Sequence, residues 1–156
     1  MTVSELAVRQ AGSDDAAVIG RLLDDFNREF DEATPGPERL AERLRELMAR
    51  GETVVLLGGA GPDGLAVLRF RPALASDGLE CYLAELYVVP GRRGAGLGRA
   101  LMEAAIRTAR ERGAVTMDLT TTEQDVAARR LYESVGFINR EGGPDGPISY
   151  YYEREV

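Results

Sequence analysis

Residues 86–105 read LYVVPGRRGAGLGRALMEAA, a stretch that joins an apolar, strand-like run to a helical pattern. The glycines are Gly94, Gly96 and Gly98, and the arginines around them are Arg92, Arg93 and Arg99. A strand that turns into a helix leaves the first N–H groups of the helix free, and the helix dipole adds to their attraction for anions. Glycines lack the Cβ atoms that would keep a ligand off the backbone. This glycine turn (residues 90–98) therefore predicts a phosphate or pyrophosphate site, the alternative being a tight turn with no ligand.

Apolar periodicity on either side of the glycine turn predicts the order β-α-α-β-β-β-α-β-α-β-β. Strands are predicted at 5–11, 53–59, 64–72, 79–89, 114–121, in a region from 137, and at 148–156. One helix is predicted to begin after Ser13, a second to end near residue 50, and two more to cover about 96–112 and 125–136. Strand–helix–strand units are right-handed with parallel strands, so 82–120 predicts one parallel pair. The expected fold is α/β (α+β), with a mixed, mostly antiparallel central sheet flanked by helices on both faces.

Composition excludes several classes of function. The chain carries a net charge of −7, no histidine and one cysteine. A basic face for nucleic acid is therefore not expected, nor is a metal site of the zinc type. Histidine-based triads are excluded as well. Any proton transfer must use carboxylates, a tyrosine, a basic side chain or water.

Length and hydropathy suggest a simple organisation. The 156 residues favour a single domain over 1–156. No apolar run approaches the roughly 18 residues that a membrane helix needs. The first residues lack the layout of a signal peptide, so a cytoplasmic location is the expectation.

The glycine spacing separates kinds of phosphate-binding loop. It lacks the GKS or GKT ending of a P-loop, and it reads G-x-G-x-G rather than G-x-G-x-x-G. A nicotinamide-binding Rossmann unit stays open as an interpretation, because Asp118 follows about 20 residues later near the end of the next strand. The position of the unit in mid-chain counts against it.

Two segments resemble one family. Residues 93–98, RGAGLG, match the R/Q-x-x-G-x-G/A signature of the GNAT acetyltransferases, and residues 125–137, DVAARRLYESVGF, resemble that family's N-x-x-A-x-x-L-Y-E-x-x-G-F. The element order is similar too, so the resemblance covers nearly the whole chain. It implies a GNAT-like acyl-CoA N-acyltransferase fold and transfer of an acetyl group from acetyl-CoA to a primary amine by direct attack. Asp125 departs from the family's Asn, and a carboxylate cannot donate a hydrogen bond as an amide does.

The resemblance also implies where acetyl-CoA binds. Its pyrophosphate would lie on the amides of residues 93–99, and its pantetheine would run beside the strand at 86–89. The N–H of Val88 would donate to the thioester oxygen in an oxyanion-hole role. The implied cofactor-binding residues are Leu86, Val88, Val89, Arg93, Gly94, Ala95, Gly96, Leu97, Gly98, Arg99 and Asp125.

One tyrosine and two carboxylates are candidates for proton transfer. Tyr132 matches the family tyrosine near the CoA sulfur, and with a reference pKa of about 10 it can act as general acid. The alternative is a packing role on an apolar helix face. Glu85 on the long strand is the candidate base, Glu80 is a second, and an amine that is partly deprotonated needs neither.

The resemblance further implies an acceptor site built from residues 24–32, DDFNREFDE, and from 149–153. Candidate substrate-binding residues are Asn27, Glu29 and Phe30. An acidic entrance favours a cationic small-molecule or peptide amine, whereas the same acids also suit an ordinary solvated helix face. A homodimer through the late strands is a family-level expectation. A non-catalytic acyl-CoA-binding module or sensor is the alternative function.

Overall fold

The computed structural model describes residues 3–156, and these fall into two compact units, one ending at Leu119 and the other running from Thr120 to Val156. The first unit holds a five-stranded sheet and three α-helices, and the second holds one α-helix. The predicted single domain over 1–156 stays a prediction.

The sheet is mixed and mostly antiparallel, as predicted. Its strands are β1 (Val8–Gln10), β2 (Thr53–Gly58), β3 (Gly64–Pro72), β4 (Leu79–Val88) and β5 (Ala114–Asp118), in that spatial order. Neighbours from β1 to β4 are antiparallel, and β4 and β5 are parallel. The parallel pair flanks the glycine turn and the following helix, so the predicted strand–helix–strand unit is confirmed.

Helices cover both faces of the sheet. In the first unit these are α1 (Ala16–Glu29), α2 (Pro37–Ala49) and α3 (Leu97–Glu111). The second unit has its own helix, α4 (Val126–Ser134). All six residues of β2 are buried, which is typical of a strand covered on both faces. Val55 and Leu57 join a core cluster with Ile19, Leu22 and Leu44 of α1 and α2. The alternate residues of β2 face α3.

Two glycines let α3 lie close to the sheet. Gly58 of β2 and Gly64 of β3 are register partners. A Cβ atom on Gly58 would lie 2.9 Å from Leu97 Cδ1, and one on Gly64 would lie 2.8 Å from the carbonyl oxygen of Tyr87 and 3.1 Å from Leu101 Cδ1. Glycine is therefore required at Gly64, where a Cβ atom would meet backbone, whereas at Gly58 the neighbouring atoms are side-chain ends of α3.

The strands predicted at the two ends of the chain differ from those found. The first strand is shortened to β1, because a 3-10 turn occupies Val3–Leu6. The prediction of strands from 137 and at 148–156 is wrong: these residues form one isolated bridge, Arg140 to Ile148, with a 2.8 Å bond from Ser149 N–H to the Asn139 carbonyl. Alternating side chains form a strand only where the backbone can hydrogen-bond to a neighbouring strand. Residues 150–156 have no regular structure.

Candidate active site

The glycine turn needs its glycines for backbone reasons. A 3-10 turn over Pro90–Arg92 leads to α3, and Gly94 and Gly96 adopt φ values of 76° and 96°. Side chains disfavour this left-handed region. A Cβ atom on Gly94 would meet nothing within 4 Å, and one on Gly96 would lie 3.9 Å from Leu6. The space over the turn is open to a ligand, and the first N–H groups of α3 have no carbonyl one helical turn earlier. Both features fit a phosphate group.

Strand β4 has an open edge just before this turn. Strand β5 pairs with β4 only across Leu79–Tyr82, so in the described part of the first unit the edge from Leu83 to Val88 has no strand partner. On the other side, the register with β3 shifts by one residue near Ala84, which is a β-bulge. We call residues 83–88 of this side the open edge of β4.

Backbone alternation determines which groups face the open edge. The Val89 N–H bonds to the Asp63 carbonyl at 2.8 Å, so it points toward the β3 side. Because successive residues of an antiparallel strand point their hydrogen-bonding groups to opposite sides, Leu86 and Val88 point theirs away from β3. An extended chain with amide groups, such as pantetheine, can bond there. Of the predicted residues of this strand, Leu86 and Val88 therefore face the open edge, and Val89 does not.

The arginines of the glycine turn are paired with carboxylates brought by the fold. Arg92 lies 3.8 Å from Glu5 and 3.9 Å from Asp63, and Arg99 lies 3.1 Å from Glu103. Arg93 pairs with Glu29 at 2.7 Å. The positive charge that the sequence shows around the glycine turn is thus paired with carboxylates in the fold. The backbone N–H of Arg93 donates to the Pro90 carbonyl at 3.3 Å, so the amides available to a ligand begin after it.

Glu85 is a partly buried carboxyl on the face of the sheet covered by α1 and α2. It lies opposite Val67, a member of that core cluster, and directly opposite residues share a face. Burial, together with the negative charge of Glu32, raises the pKa of Glu85 to about 7. A carboxyl with a pKa near neutrality is suited to accept a proton. Glu80, the second candidate base, forms an ion pair with Arg71 at 2.6 Å.

The raised pKa of Glu85 predicts a pH-dependent stability. The folded pKa lies above the ordinary value of 4.5, so between about pH 4.5 and 7 the folded protein binds more protons than the unfolded one. The free energy of unfolding therefore falls as pH rises through this window. We expect Glu85→Gln to remove this loss, raising the melting midpoint relative to the parent at about pH 8 but not at about pH 5.

Thermal unfolding of both proteins across that range is the measurement. Glu46→Gln is the matched control, since Glu46 is exposed and pairs with Arg43 within α2. A Glu85→Gln midpoint that runs parallel to the parent's at all pH values would contradict the raised pKa.

The second unit carries Tyr132 and Asp125. Asp125 is the N-cap of α4, and its carboxylate accepts a hydrogen bond from the Ala128 N–H at 3.1 Å. It thus does what Asn can do at this position. The Tyr132 ring packs edge-to-face on Phe137, with centroids 6.2 Å apart. Burial and the negative charge of Asp125 raise the pKa of Tyr132 to about 12, so its phenol keeps its proton at neutral pH.

The predicted acceptor residues lie at the end of α1, with Phe30 just after its last residue. Phe30 is 52% exposed and packs edge-to-face on Phe26. The Asn27 carbonyl accepts from the Glu32 N–H at 2.8 Å, and Glu29 faces Arg93. Their role in acceptor binding stays a prediction.

Sequence reasoning missed Asp24, which fixes the segment after α1. Its buried carboxylate accepts 2.7 Å hydrogen bonds from Arg28 Nε and from the Thr34 hydroxyl, and Arg28 lowers its pKa. An acid at a core-facing position of an amphipathic helix is the signal that would have found it. In residues 3–156, no group of three or more His, Cys, Asp or Glu is placed to hold a metal, and no helix is long and apolar enough to cross a membrane.

Comparison with known proteins finds a family and relatives that match most of the chain. The model of the Acetyltransferase (GNAT) family matches residues 19–137. The chain is 30% identical over 137 residues to the uncharacterized N-acetyltransferase YhfO of Bacillus subtilis (strain 168), covering 86% of this chain and 91% of that protein. It is 35% identical over 137 residues to a mycothiol acetyltransferase of Kineococcus radiotolerans, where it covers 85% of this chain but 42% of the relative.

Solved structures agree in fold. A protein of Arthrobacter sp. FB24, assigned as an acetyltransferase, superposes with a TM-score of 0.88 and 45% identity, covering 100% of this chain and 99% of that one. An aminoglycoside acetyltransferase from a soil metagenome, bound to sisomicin, superposes with a TM-score of 0.76 over 97% of both chains at 17% identity, a likeness of fold alone. The family match spans most of the chain and includes both motifs, and the chain is therefore a member of the GNAT acetyltransferase family, whose chemistry is acyl transfer.

Proposed function

We propose that this chain transfers an acetyl group from acetyl-CoA to a primary amine of a small molecule or peptide by direct attack. The observation that carries the proposal is the open edge of β4 leading directly into the glycine turn. An extended amide chain that ends in a pyrophosphate matches these two features in their order along the backbone. Acetyl-CoA has that form, and its chemical contribution is an acetyl group activated as a thioester.

The chain's own groups divide the remaining work. The edge groups of Leu86 and Val88 and the amides that begin at Gly94 hold the cofactor. The Val88 N–H donates a hydrogen bond where negative charge develops on the carbonyl oxygen. Glu85, with its pKa near neutrality, takes the proton of the amine. Tyr132, whose role rests on the motif resemblance, supplies a proton or hydrogen bond to the leaving sulfur.

The acceptor is proposed to be a small-molecule or peptide amine, and the same hypothesis gives this amine a positive charge. The names of relatives support a small molecule, because mycothiol acetyltransferases are among them. Acid side chains at the end of α1 and in the segment after it support a cationic one. A cytoplasmic location and a homodimer remain predictions of the same proposal.

Turnover and ligand binding test the proposal together. With a panel of neutral and cationic primary amines, free thiol should be released from acetyl-CoA only when an amine that is a substrate is present. CoA should raise the melting midpoint, since a ligand that binds only the folded state stabilises it, and NAD should not. Stabilisation by CoA with no thiol release for any amine would favour the acyl-CoA-binding module. Stabilisation by NAD alone would overturn the proposal.

A further inference from the structure

Arg93 joins two separate elements of the first unit at the start of the glycine turn. Its Nη2 contacts both carboxylate oxygens of Glu29, at 2.9 and 2.7 Å. Its Nε donates to the Val88 carbonyl at 2.9 Å. One guanidinium therefore links the last residue of α1 to the last residue of β4.

The bond to Val88 falls on the edge proposed to hold the cofactor. Because Val88 points its backbone groups away from β3, Arg93 fixes the strand at its open side. A planar guanidinium with donors in two directions can hold a carboxylate and a carbonyl at once. A lysine at this position would keep the charge without that geometry.

Aromatic rings support the pair from the core. The Arg93 guanidinium carbon lies 5.6 Å from the centroid of the Tyr87 ring, and that ring stacks on Phe26 at 4.9 Å. Tyr87 is 5% exposed, and its hydroxyl donates to Glu29 at 3.4 Å. The Glu29 carboxylate thus accepts hydrogen bonds from Arg93 and from Tyr87, so the fold fixes its position and it is not simply a solvated surface acid.

We propose that Glu29 is a positioning residue for acyl-CoA binding, acting through Arg93 to fix the end of β4 and the start of the glycine turn. This inference rests on the proposed function and replaces the acceptor-binding role expected for Glu29. An acid that binds a cationic amine must be available to it, whereas this one is already paired with a cation. The two roles predict different kinetic effects.

The test separates affinity for the two substrates. Glu29→Gln and Arg93→Gln should each raise the dissociation constant for CoA and the Michaelis constant for acetyl-CoA by about tenfold, since each breaks the same charge-assisted pair. The double variant should be no worse than either single one, because residues that act as a unit are not additive. The Michaelis constant for the amine should stay unchanged. Arg93→Lys should lose CoA affinity as Arg93→Gln does, because a lysine keeps the charge without the guanidinium geometry.

Controls keep the outcomes distinct. Glu46→Gln breaks an exposed pair with Arg43 on α2 and should leave CoA binding as in the parent. Equal melting midpoints for Glu29→Gln and Glu46→Gln would exclude a general loss of stability, and if Glu29→Gln unfolds, Arg93→Lys gives the same readout. A rise confined to the Michaelis constant of the amine would overturn the positioning role. A parent protein that does not bind CoA would instead overturn the proposed function.

Discussion

Replacement of Gly96 by glutamate is expected to abolish CoA binding while the protein remains folded. Gly96 is the N-cap of α3 with a φ of 96°, and the first N–H groups of the helix that follows have no intrahelical partner. A glutamate there puts a carboxylate on the amides proposed for the pyrophosphate, so it both fills the space and repels the ligand's charge. The left-handed backbone costs a side chain about 1–2 kcal/mol, which a stable domain tolerates. Calorimetric titration with CoA measures the loss.

Gly113 offers the matched control for this substitution. It follows the other end of α3, its φ is 87°, and a Cβ atom there would meet nothing within 4 Å. Gly113→Glu therefore carries a similar backbone cost without touching the glycine turn, and it should bind CoA as the parent does. Unchanged CoA affinity in a folded Gly96→Glu variant would remove the glycine turn from the proposed cofactor site.

Tyr132→Phe is expected to lower kcat by roughly 10²–10⁴ while the Michaelis constant for acetyl-CoA changes little. The substitution keeps the ring that packs on Phe137 and removes only the hydroxyl. Because burial and the charge of Asp125 raise the pKa of Tyr132 to about 12, the parent should show no loss of activity from ionisation of this group near neutral pH. Single-turnover kinetics with saturating acetyl-CoA measure the effect on chemistry.

Phe137→Leu is the control for packing, because it keeps the Tyr132 hydroxyl but removes the ring against which Tyr132 packs. If the hydroxyl is the catalytic group, this variant should lose stability and keep most of its turnover. If Tyr132→Phe instead retains nearly full turnover, the hydroxyl has no part in catalysis and the residue is there for its ring.

Local patterns predict the fold well where one segment carries its own signal. The strand, glycine turn, helix and parallel strand from 79 to 118 lie close to the predicted positions, because periodicity and turn glycines are properties of neighbouring residues. The strands predicted at 148–156 fail for the converse reason. The alternation in that segment concerns only its side chains, and it does not show whether a neighbouring strand is available for the backbone hydrogen bonds that a strand needs.

The candidate site shows the same division. The sequence displays the arginines of the glycine turn with no acid among them, and nothing local reveals that α1 brings Glu29 to Arg93. The charge of Glu32 near Glu85 is hidden for the same reason, since the two lie on different elements. The bulge near Ala84 has no local marker either, because it is a property of the register between two strands.

Gly58 and Gly64 bear on how such a protein can diverge. They set the distance of α3 from the sheet, and the first turn of α3 carries the amides proposed for the cofactor. The proposed donor site is thus supported from the sheet side by residues that need not touch the donor, while α1 and α2 pack on the opposite face of the sheet. Mutations that remodel those two helices leave the glycine pair untouched. Under the proposed function, changes in α1 and α2 could alter the acceptor without altering the donor site, whereas a side chain at Gly64 would meet backbone and disturb the donor site whatever the acceptor.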